Sequence, residues 1–295
     1  MIVLLGASGN VGGQTASLLL DQGEHVRVIG RSEIRLRDLM NRGAEAAIGS
    51  ALDFDFLYRA FEGASSIFVM MPNRLDAPNL REFAREYGEV LAHALRASKT
   101  THVVHLSSHG AHHSSGVGPI KCLHDQEQRL NNIQGLNVLH LRPTWFMENL
   151  YTTIPLIKKS GVMGNAIRGD LRFAMIATRD IAPVAAGALS RKNFTGIQIR
   201  ELLGERDVTL NEVARVFGAL IGKPEMPYVP FSYEDMREWL LQAGIAENPA
   251  KEMVELARAI NEKRICVAQP RNNLNTTPTS IETFAPSFSS VYHAS

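Results

Sequence analysis

The sequence predicts an α/β fold, with a doubly wound parallel sheet of Rossmann type and a smaller, mostly helical C-terminal lobe. Strand-like and helix-like segments alternate through the first half of the chain, which is the pattern of βαβ units. Crossover connections between parallel strands are right-handed, so the helices cover both faces of one sheet. After residue 150 glycines and prolines interrupt the alternation. We therefore predict a sheet domain over 1–150, to which 174–200 return, and a lobe formed by 151–173 and 201–295.

Composition agrees with an enzyme-sized globular chain. The 295 residues are 45% hydrophobic, which is enough to form a large core. The net charge is +1, so no strong positive field would attract nucleic acid or an anionic membrane surface. No apolar run reaches the roughly 18 residues of a membrane span. The first strand begins at Ile2, so we expect no signal peptide. Cys122 and Cys266 lack a metal-ligand spacing, from which we expect a reducing, cytoplasmic location and packing roles for both.

The first strand and the first helix are joined by a glycine-rich turn. An apolar run at 2–5 breaks into glycines and resumes as a helical pattern from Thr15. Such a turn directs backbone N–H groups and the positive end of a helix at one point, as a dinucleotide pyrophosphate requires. The spacing is GxxGxxG rather than GxGxxG, so an ordinary strand-to-helix turn is the alternative. The residues predicted to surround the phosphates are Gly6, Ser8, Gly9, Asn10, Val11 and Gly12.

The second strand, at 25–29, ends in Gly30 and Arg31. An acidic residue at this position would bind both ribose hydroxyls and repel a phosphate, whereas the guanidinium of Arg31 suits a 2′-phosphate. Arg35 follows and adds a second positive charge, although Glu33 lies between them. We therefore predict NADP(H) as the cofactor. The alternative is that both arginines only solvate the start of a helix.

The remaining elements follow from periodicity and capping signals. We predict strands at 45–48, 66–71, 102–106 and 137–141, and helices at 53–61, 80–95 and 123–130. Beyond a poorly periodic stretch at 151–173, Thr178 begins a helix and 196–200 form a last strand. Further helices begin at a capping box over 209–212, at Ser232 and at Asn248-Pro249. We expect the tail beyond Gln269 to follow the surface with one short turn at 279–282, and the lobe to cover the carboxyl edge of the sheet.

Five segments in order carry a resemblance to a known family. They are the glycine turn at 6–12, Arg31 after the second strand, the strand end at Met71-Pro72, the run 141–150 (LRPTWFMENL) and the run 177–182 (ATRDIA). Together they resemble the NmrA-like atypical short-chain dehydrogenases/reductases. Residues 278–284 also look like the closing segment of that family. The family includes NADPH-dependent quinone reductases, azoreductases, and NADP-sensing regulators with little or no turnover.

The resemblance implies roles for individual residues. It places the glycine turn on the pyrophosphate and Arg31, with Arg35, on the 2′-phosphate. It implies that the cofactor's nicotinamide half contacts Met71, Pro72, Ser107 and Pro143. Ser108, Trp145 and Phe146 would then lie on the substrate side. We expect His109 there too, because it follows the fifth strand at the sheet edge where a substrate would enter.

The proton donor is the least defined part of the prediction. No tyrosine is followed four residues later by lysine, so the usual Tyr-Lys pair of short-chain dehydrogenases is absent. Lys121 and His124, three residues apart, become neighbours on a helix, and either can deliver a proton to a substrate oxygen. Alternatively, both only solvate the first helical turn.

Histidines and aromatic residues surround the predicted substrate entrance. His109, His112 and His113 follow the fifth strand, but no Asp, Glu or Cys lies within this motif, so we predict no metal site. Trp145 and Phe146 form either an aromatic wall for a flat substrate or part of the core.

Two functions remain open on the sequence. The first is an NADPH-dependent reductase of a quinone or similar conjugated acceptor, whose partner is a small molecule. The second is a non-catalytic NADP(H) sensor that signals to a protein partner. The full set of elements predicted for the lobe and the presence of Lys121 and His124 favour the reductase.

Overall fold

The computed structural model describes residues 1–295 and has twelve strands and eleven α-helices. The strands are β1 (Ile2–Leu5), β2 (Val26–Gly30), β3 (Glu45–Ile48), β4 (Ser66–Met70), β5 (His102–Leu106), β6 (Asn137–Pro143), β7 (Trp145–Phe146), β8 (Met163–Asn165), β9 (Phe173–Ile176), β10 (Ile197–Leu202), β11 (Asp207–Val208) and β12 (Tyr228–Pro230). The helices are α1 (Asn10–Asp21), α2 (Arg37–Asn41), α3 (Phe54–Phe61), α4 (Leu80–Ser98), α5 (Ile120–Asn131), α6 (Ile154–Ser160), α7 (Thr178–Arg191), α8 (Leu210–Leu220), α9 (Tyr233–Gln242), α10 (Glu247–Asn261) and α11 (Ile281–Ala294). Two 3-10 helices lie at Glu33–Arg35 and Met147–Thr153. No helix has the length and apolar character to cross a bilayer.

Seven strands form one sheet in the order β10-β6-β5-β4-β1-β2-β3, and every neighbouring pair is parallel. The chain builds outward from β1 to β3, then returns to β4 on the other side of β1 and builds outward again. The predicted doubly wound sheet is therefore confirmed. The order reverses between β1 and β4, and ligands of such sheets bind outside the carboxyl ends of the strands at this point.

Both faces of the sheet are covered, which explains why its central strands are apolar throughout. All four residues of β1 are buried, as are four of the five in β4. Helices α1 and α7 pack on one face, and α3 and α4 pack on the other. The single polar residue within β4, Ser66, is satisfied because its hydroxyl donates to the Leu189 carbonyl at 2.9 Å.

A third apolar cluster lies outside the sheet and joins residues from 147–177 with residues from 208–288. Its centre is aromatic: the rings of Phe217 and Phe288 are 4.2 Å apart, and the ring of Tyr151 stacks on that of Phe284 at 5.6 Å. Short strand pairs, β8 with β12 and β9 with β7 and β11, complete this region. The division of the chain into a sheet domain and a lobe with the boundaries given above stays a prediction.

The structure corrects several predicted element boundaries. The tail forms the 14-residue helix α11 rather than one short turn, because Phe284 and Phe288 are buried in this third apolar cluster. The stretch 151–173 contains α6 and β8. Helix α5 begins at Ile120, three residues earlier than predicted. The cap of α10 is Ala246, because the side chain of Asn248 instead accepts the Leu80 N–H at 2.8 Å.

Candidate active site

A cavity of about 630 Å³ lies at the carboxyl edge of the sheet, and 18 of its 29 lining residues are hydrophobic. The ends of β4 and β5, the segment after β6 and one face of α5 form the sheet side. Strand β9, the end of α10 and residues 263–267 form the opposite side. A mostly apolar cavity with a few convergent polar groups is typical of a small-molecule site.

The glycine turn adjoins this cavity through Met70. Gly6 has φ +71°, and a Cβ at this position would collide with the side chain of Met70, which lines the cavity. A Cβ at Gly12 would collide with the carbonyl group of Gly6, so Gly12 permits the helix to pack on the turn. Gly9 is the N-cap of α1 and offers no capping side chain, and the first turn carries no acidic residue. The first N–H groups of α1, from Asn10 onward, therefore remain available to an anion.

Arg31 and Arg35 follow β2 on the same edge of the sheet, and both are exposed. Neither forms an ion pair with an acidic side chain, so both charges remain available. Arg31 lies near Asp76, whose pKa is lowered mainly by its hydrogen bond to Arg74 and to a smaller extent by Arg31. Asp76 follows Met71 and Pro72 in the chain, so Arg31 lies close to this segment. Met71 and Pro72 both line the cavity.

A buried ion pair fixes the floor of the cavity. The guanidinium of Arg142 donates to Glu127 at 2.9 and 2.5 Å, and the hydroxyl of Ser107 donates to the same carboxylate at 2.5 Å. Arg142 is on β6, Glu127 is on α5, and Ser107 follows β5, so this network joins three elements, and Ser107 connects it to the cavity. Ser107 and Ser108 both line the cavity, as the sequence predicts for residues near a ligand.

His109 presents an unpaired polar group at the same edge. Its backbone N–H donates to the Pro143 carbonyl at 2.9 Å, and its ring lines the cavity. Nε2 is buried and has no hydrogen-bond partner. Burial lowers the pKa of His109, so the imidazole is neutral at neutral pH. Pro143 itself does not line the cavity and contributes through this backbone contact.

Aromatic rings form one wall. Trp145 and Phe146 line the cavity, and the ring of Trp145 meets that of Phe173 edge-on at 6.0 Å. Both residues are only half-buried while also packing against the apolar clusters. Their positions are compatible with both roles that the sequence left open, and contact with a substrate stays a prediction.

Lys121 and His124 do not line the cavity, because the neighbouring Ile120, Cys122 and Leu123 occupy the face of α5 that does. The ammonium group of Lys121 lies 2.7 Å from the Glu252 carboxylate; burial opposes the charge, but the hydrogen bond to Glu252 and its charge raise the Lys121 pKa. Nδ1 of His124 hydrogen-bonds the Ala111 carbonyl at 2.9 Å. Their predicted role in proton delivery gains no support from these positions and stays a prediction.

The other two loop histidines do not face the cavity. The rings of His112 and His113 lie 3.9 Å apart, and Nε2 of His113 bonds the Arg264 carbonyl at 3.0 Å. The chain contains no group of three or more His, Cys, Asp or Glu side chains placed to hold a metal.

Several lining residues were not found from the sequence. Arg172, Lys263, Ile265 and Cys266 belong to the side of the cavity opposite the sheet, and Cys122 lines it from α5. Burial raises the pKa of Cys122 to about 11, so its thiol stays protonated. Apart from the general expectation that the lobe covers the sheet edge, no local pattern marks these positions.

A doubly wound sheet with a glycine turn at its switch point and an apolar cavity beside it defines a Rossmann-type dinucleotide-binding protein. Within this class, the chain belongs to the NmrA-like family, whose model matches residues 1–285.

Comparison with individual proteins agrees with this assignment. The chain is 26% identical over 256 residues to an NAD(P)H azoreductase from Xenophilus azovorans, covering 87% of this chain and 86% of the relative. Over 224 residues it is 27% identical to a (4-alkanoyl-5-oxo-2,5-dihydrofuran-3-yl)methyl phosphate reductase from Streptomyces griseus, covering 76% and 75%.

Solved structures share the fold. A triphenylmethane reductase from Citrobacter sp. complexed with NADP(H) superimposes with a TM-score of 0.81 at 18% identity, covering 98% of this chain and 100% of that one. An NADPH-dependent quinone oxidoreductase from Escherichia coli complexed with NADPH gives a TM-score of 0.80 at 21% identity, covering 97% and 99%.

Proposed function

We propose that the protein is an NADPH-dependent reductase that delivers hydride to a quinone or to a similarly conjugated acceptor such as an azo compound. The observation that carries this proposal is the apolar cavity beside the glycine turn, whose lining includes aromatic rings and no tyrosine. The family membership and the NAD(P)H azoreductase relative support the same reaction class.

The residues around the turn fit NADPH. Gly6, Gly9, Gly12 and the first N–H groups of α1 would hold the pyrophosphate, and the unpaired guanidinium of Arg31 would hold the 2′-phosphate, with Arg35 adding charge. Met71, Pro72, Ser107 and Pro143 would contact the nicotinamide half. When bound, the cofactor supplies the hydride.

The lining of the cavity decides which acceptors react. A simple aldehyde or ketone, in which the new negative charge stays on the carbonyl oxygen, needs a positioned acid, and the usual phenol is missing. A quinone spreads the new negative charge over its ring, so it accepts hydride with less help. Ser108 and His109 would hydrogen-bond the acceptor, and Trp145 and Phe146 would pack against its flat ring.

This proposal makes a small molecule the partner, rather than nucleic acid or a membrane, and places the protein in the cytoplasm. The small net charge of +1 and the absence of a helix long and apolar enough to span a bilayer agree with it.

The test is a steady-state screen of NADPH oxidation with 1,4-naphthoquinone, an azo dye and benzaldehyde. We expect kcat/KM for the quinone to exceed that for benzaldehyde by roughly 100-fold or more, because the aldehyde lacks general-acid assistance. If benzaldehyde is the better substrate, the site contains a positioned proton donor despite the missing phenol, and the proposed preference for quinones is wrong. If NADPH binds tightly and no acceptor is reduced, the reductase proposal fails and the sensor takes its place.

A further inference from the structure

Two positively charged side chains stand on the wall of the otherwise apolar cavity. Arg172 immediately precedes β9, and Lys263 follows α10. Neither forms an ion pair, and the guanidinium of Arg172 donates only to the backbone carbonyl of Asp207, at 3.3 Å. Both side chains are exposed, so their charges remain available to a ligand.

Two of the three acidic side chains nearby are ion-paired, and the third, Glu201, keeps its charge. Asp207 is the only carboxylate that lines the cavity, and it is ion-paired with Arg271. Glu262, next to Lys263, lies 2.7 Å from the guanidinium of Arg264. Glu201 accepts the backbone N–H groups of Ala268 and Gln269. This wall of the cavity therefore carries a net positive charge.

That charge is separate from the charges assigned to the cofactor. Arg31 and Arg35 follow β2 and do not line the cavity, whereas Arg172 and Lys263 do. The aromatic ring of Phe173 lies next to Arg172 in the chain and contacts Trp145. A flat ring held by these aromatic residues would bring a substituent on its outer rim towards the two cations.

We propose that the acceptors this site prefers are aromatic compounds with an anionic substituent, a sulfonate or a carboxylate, held by Arg172 and Lys263. The inference rests on the proposed reductase function and names its substrate class. Because both side chains are exposed, each contact contributes less than a buried charge-assisted hydrogen bond, and the two together strengthen binding of a charged acceptor by roughly 10- to 100-fold over a neutral one.

Binding is measured first, with ligands that cannot be reduced. Naphthalene-2-sulfonate and the neutral naphthalene-2-sulfonamide are titrated into protein saturated with NADP⁺. We expect the sulfonate to bind more tightly, and the Arg172→Gln/Lys263→Gln variant to weaken the sulfonate by roughly 10- to 100-fold while changing the sulfonamide less than about twofold. Arg168→Gln/Lys251→Gln removes two exposed charges that do not line the cavity, and should change neither ligand.

Reduction of a matched pair, azobenzene-4-sulfonate and azobenzene-4-sulfonamide, forms the second measurement. We expect the cavity variant to raise KM for the sulfonate alone. The anion site is overturned if the unaltered protein binds the sulfonate and the sulfonamide of naphthalene equally. It is also overturned if the cavity variant loses equal affinity for both, even when both azo compounds are reduced. A sulfonate preference in binding without reduction of any acceptor supports the anion site and overturns the reductase proposal.

Discussion

At the scale of single residues, the decisive property is whether a charged group already has a partner. Lys121 and Arg142 are paired with Glu252 and Glu127, which satisfies their charges within the protein. Arg31 forms no ion pair, and Nε2 of His109 is buried without a hydrogen-bond partner. An unpaired group beside a cavity has free capacity to bind a ligand. Residue type could be judged from the sequence, whereas pairing depends on contacts that only the fold creates.

The first prediction concerns Arg31. Because its guanidinium has no acidic partner to reorganise, Arg31→Ala should weaken NADPH binding by roughly 10- to 100-fold and leave NADH, which lacks the 2′-phosphate, nearly unchanged. Calorimetric titration of both cofactors measures this. The matched control is Arg96→Ala, because Arg96 is an exposed arginine in the last turn of α4. An equal loss for the two cofactors would show that Arg31 does not contact the 2′-phosphate.

Site residues could be predicted from the sequence where they directly follow a strand of the parallel sheet. Ser107, Ser108 and His109 directly follow β5, and a parallel sheet brings all its carboxyl ends to one edge, so these residues line the cavity as expected. The sequence does not show which face of a helix is turned towards the cavity. Lys121 and His124 lie on α5, and packing turns Ile120, Cys122 and Leu123 towards the cavity instead. Residues from the opposite wall, such as Lys263, carry no local signal.

At the scale of elements, strands and helices with a strong hydrophobic pattern could be predicted from the sequence. The remaining elements form because of tertiary packing. The central strands are apolar because helices cover both faces, so they could be found from composition alone. Strands β7, β11 and β12 have two or three residues and therefore show no period. Helix α11 contains Pro286 and several serines, a weak helical sequence that Phe284 and Phe288 stabilise by packing into the lobe.

The second prediction separates two glycines of one turn. A Cβ at Gly12 collides with the backbone of Gly6, so Gly12→Ala should lower the free energy of unfolding by about 1–3 kcal/mol. A Cβ at Gly9 meets only the Gly6 carbonyl oxygen, at 3.3 Å, so Gly9→Ala should largely keep the fold. It should nevertheless weaken NADPH and NADH alike, by roughly tenfold, because the methyl group obstructs the pyrophosphate. Urea denaturation and cofactor titration on both variants check this. Unchanged affinity in Gly9→Ala would place the phosphates elsewhere.

At the scale of the whole molecule, the sheet and the region around α10 enclose the cavity, and polar contacts link the two. Lys121 on α5 pairs with Glu252 on α10, and Asn248 on α10 accepts the N–H of Leu80 at the start of α4. The Ala246 N–H donates to the Leu75 carbonyl at 2.9 Å. These contacts tie α10 to the helices of the sheet side, and of their residues only Leu80 lines the cavity.

The last prediction distinguishes a structural from a chemical role for Lys121. Lys121→Met leaves the Glu252 carboxylate largely buried without its nearest cation, so the free energy of unfolding should fall by about 1.5–3 kcal/mol. Lys121→Met/Glu252→Met replaces both partners with apolar side chains and should recover most of this loss. If Lys121 only joins α5 to α10, the double variant should also reduce an azo dye, in which one nitrogen takes the hydride and the other needs a proton, with a kcat within about twofold of the unaltered protein. If Lys121 instead delivers that proton, kcat for the dye should stay roughly 10²–10⁴-fold lower in the stable double variant, because restored packing cannot replace a general acid. Urea denaturation and azo-dye kinetics on the same preparations therefore decide between the two roles.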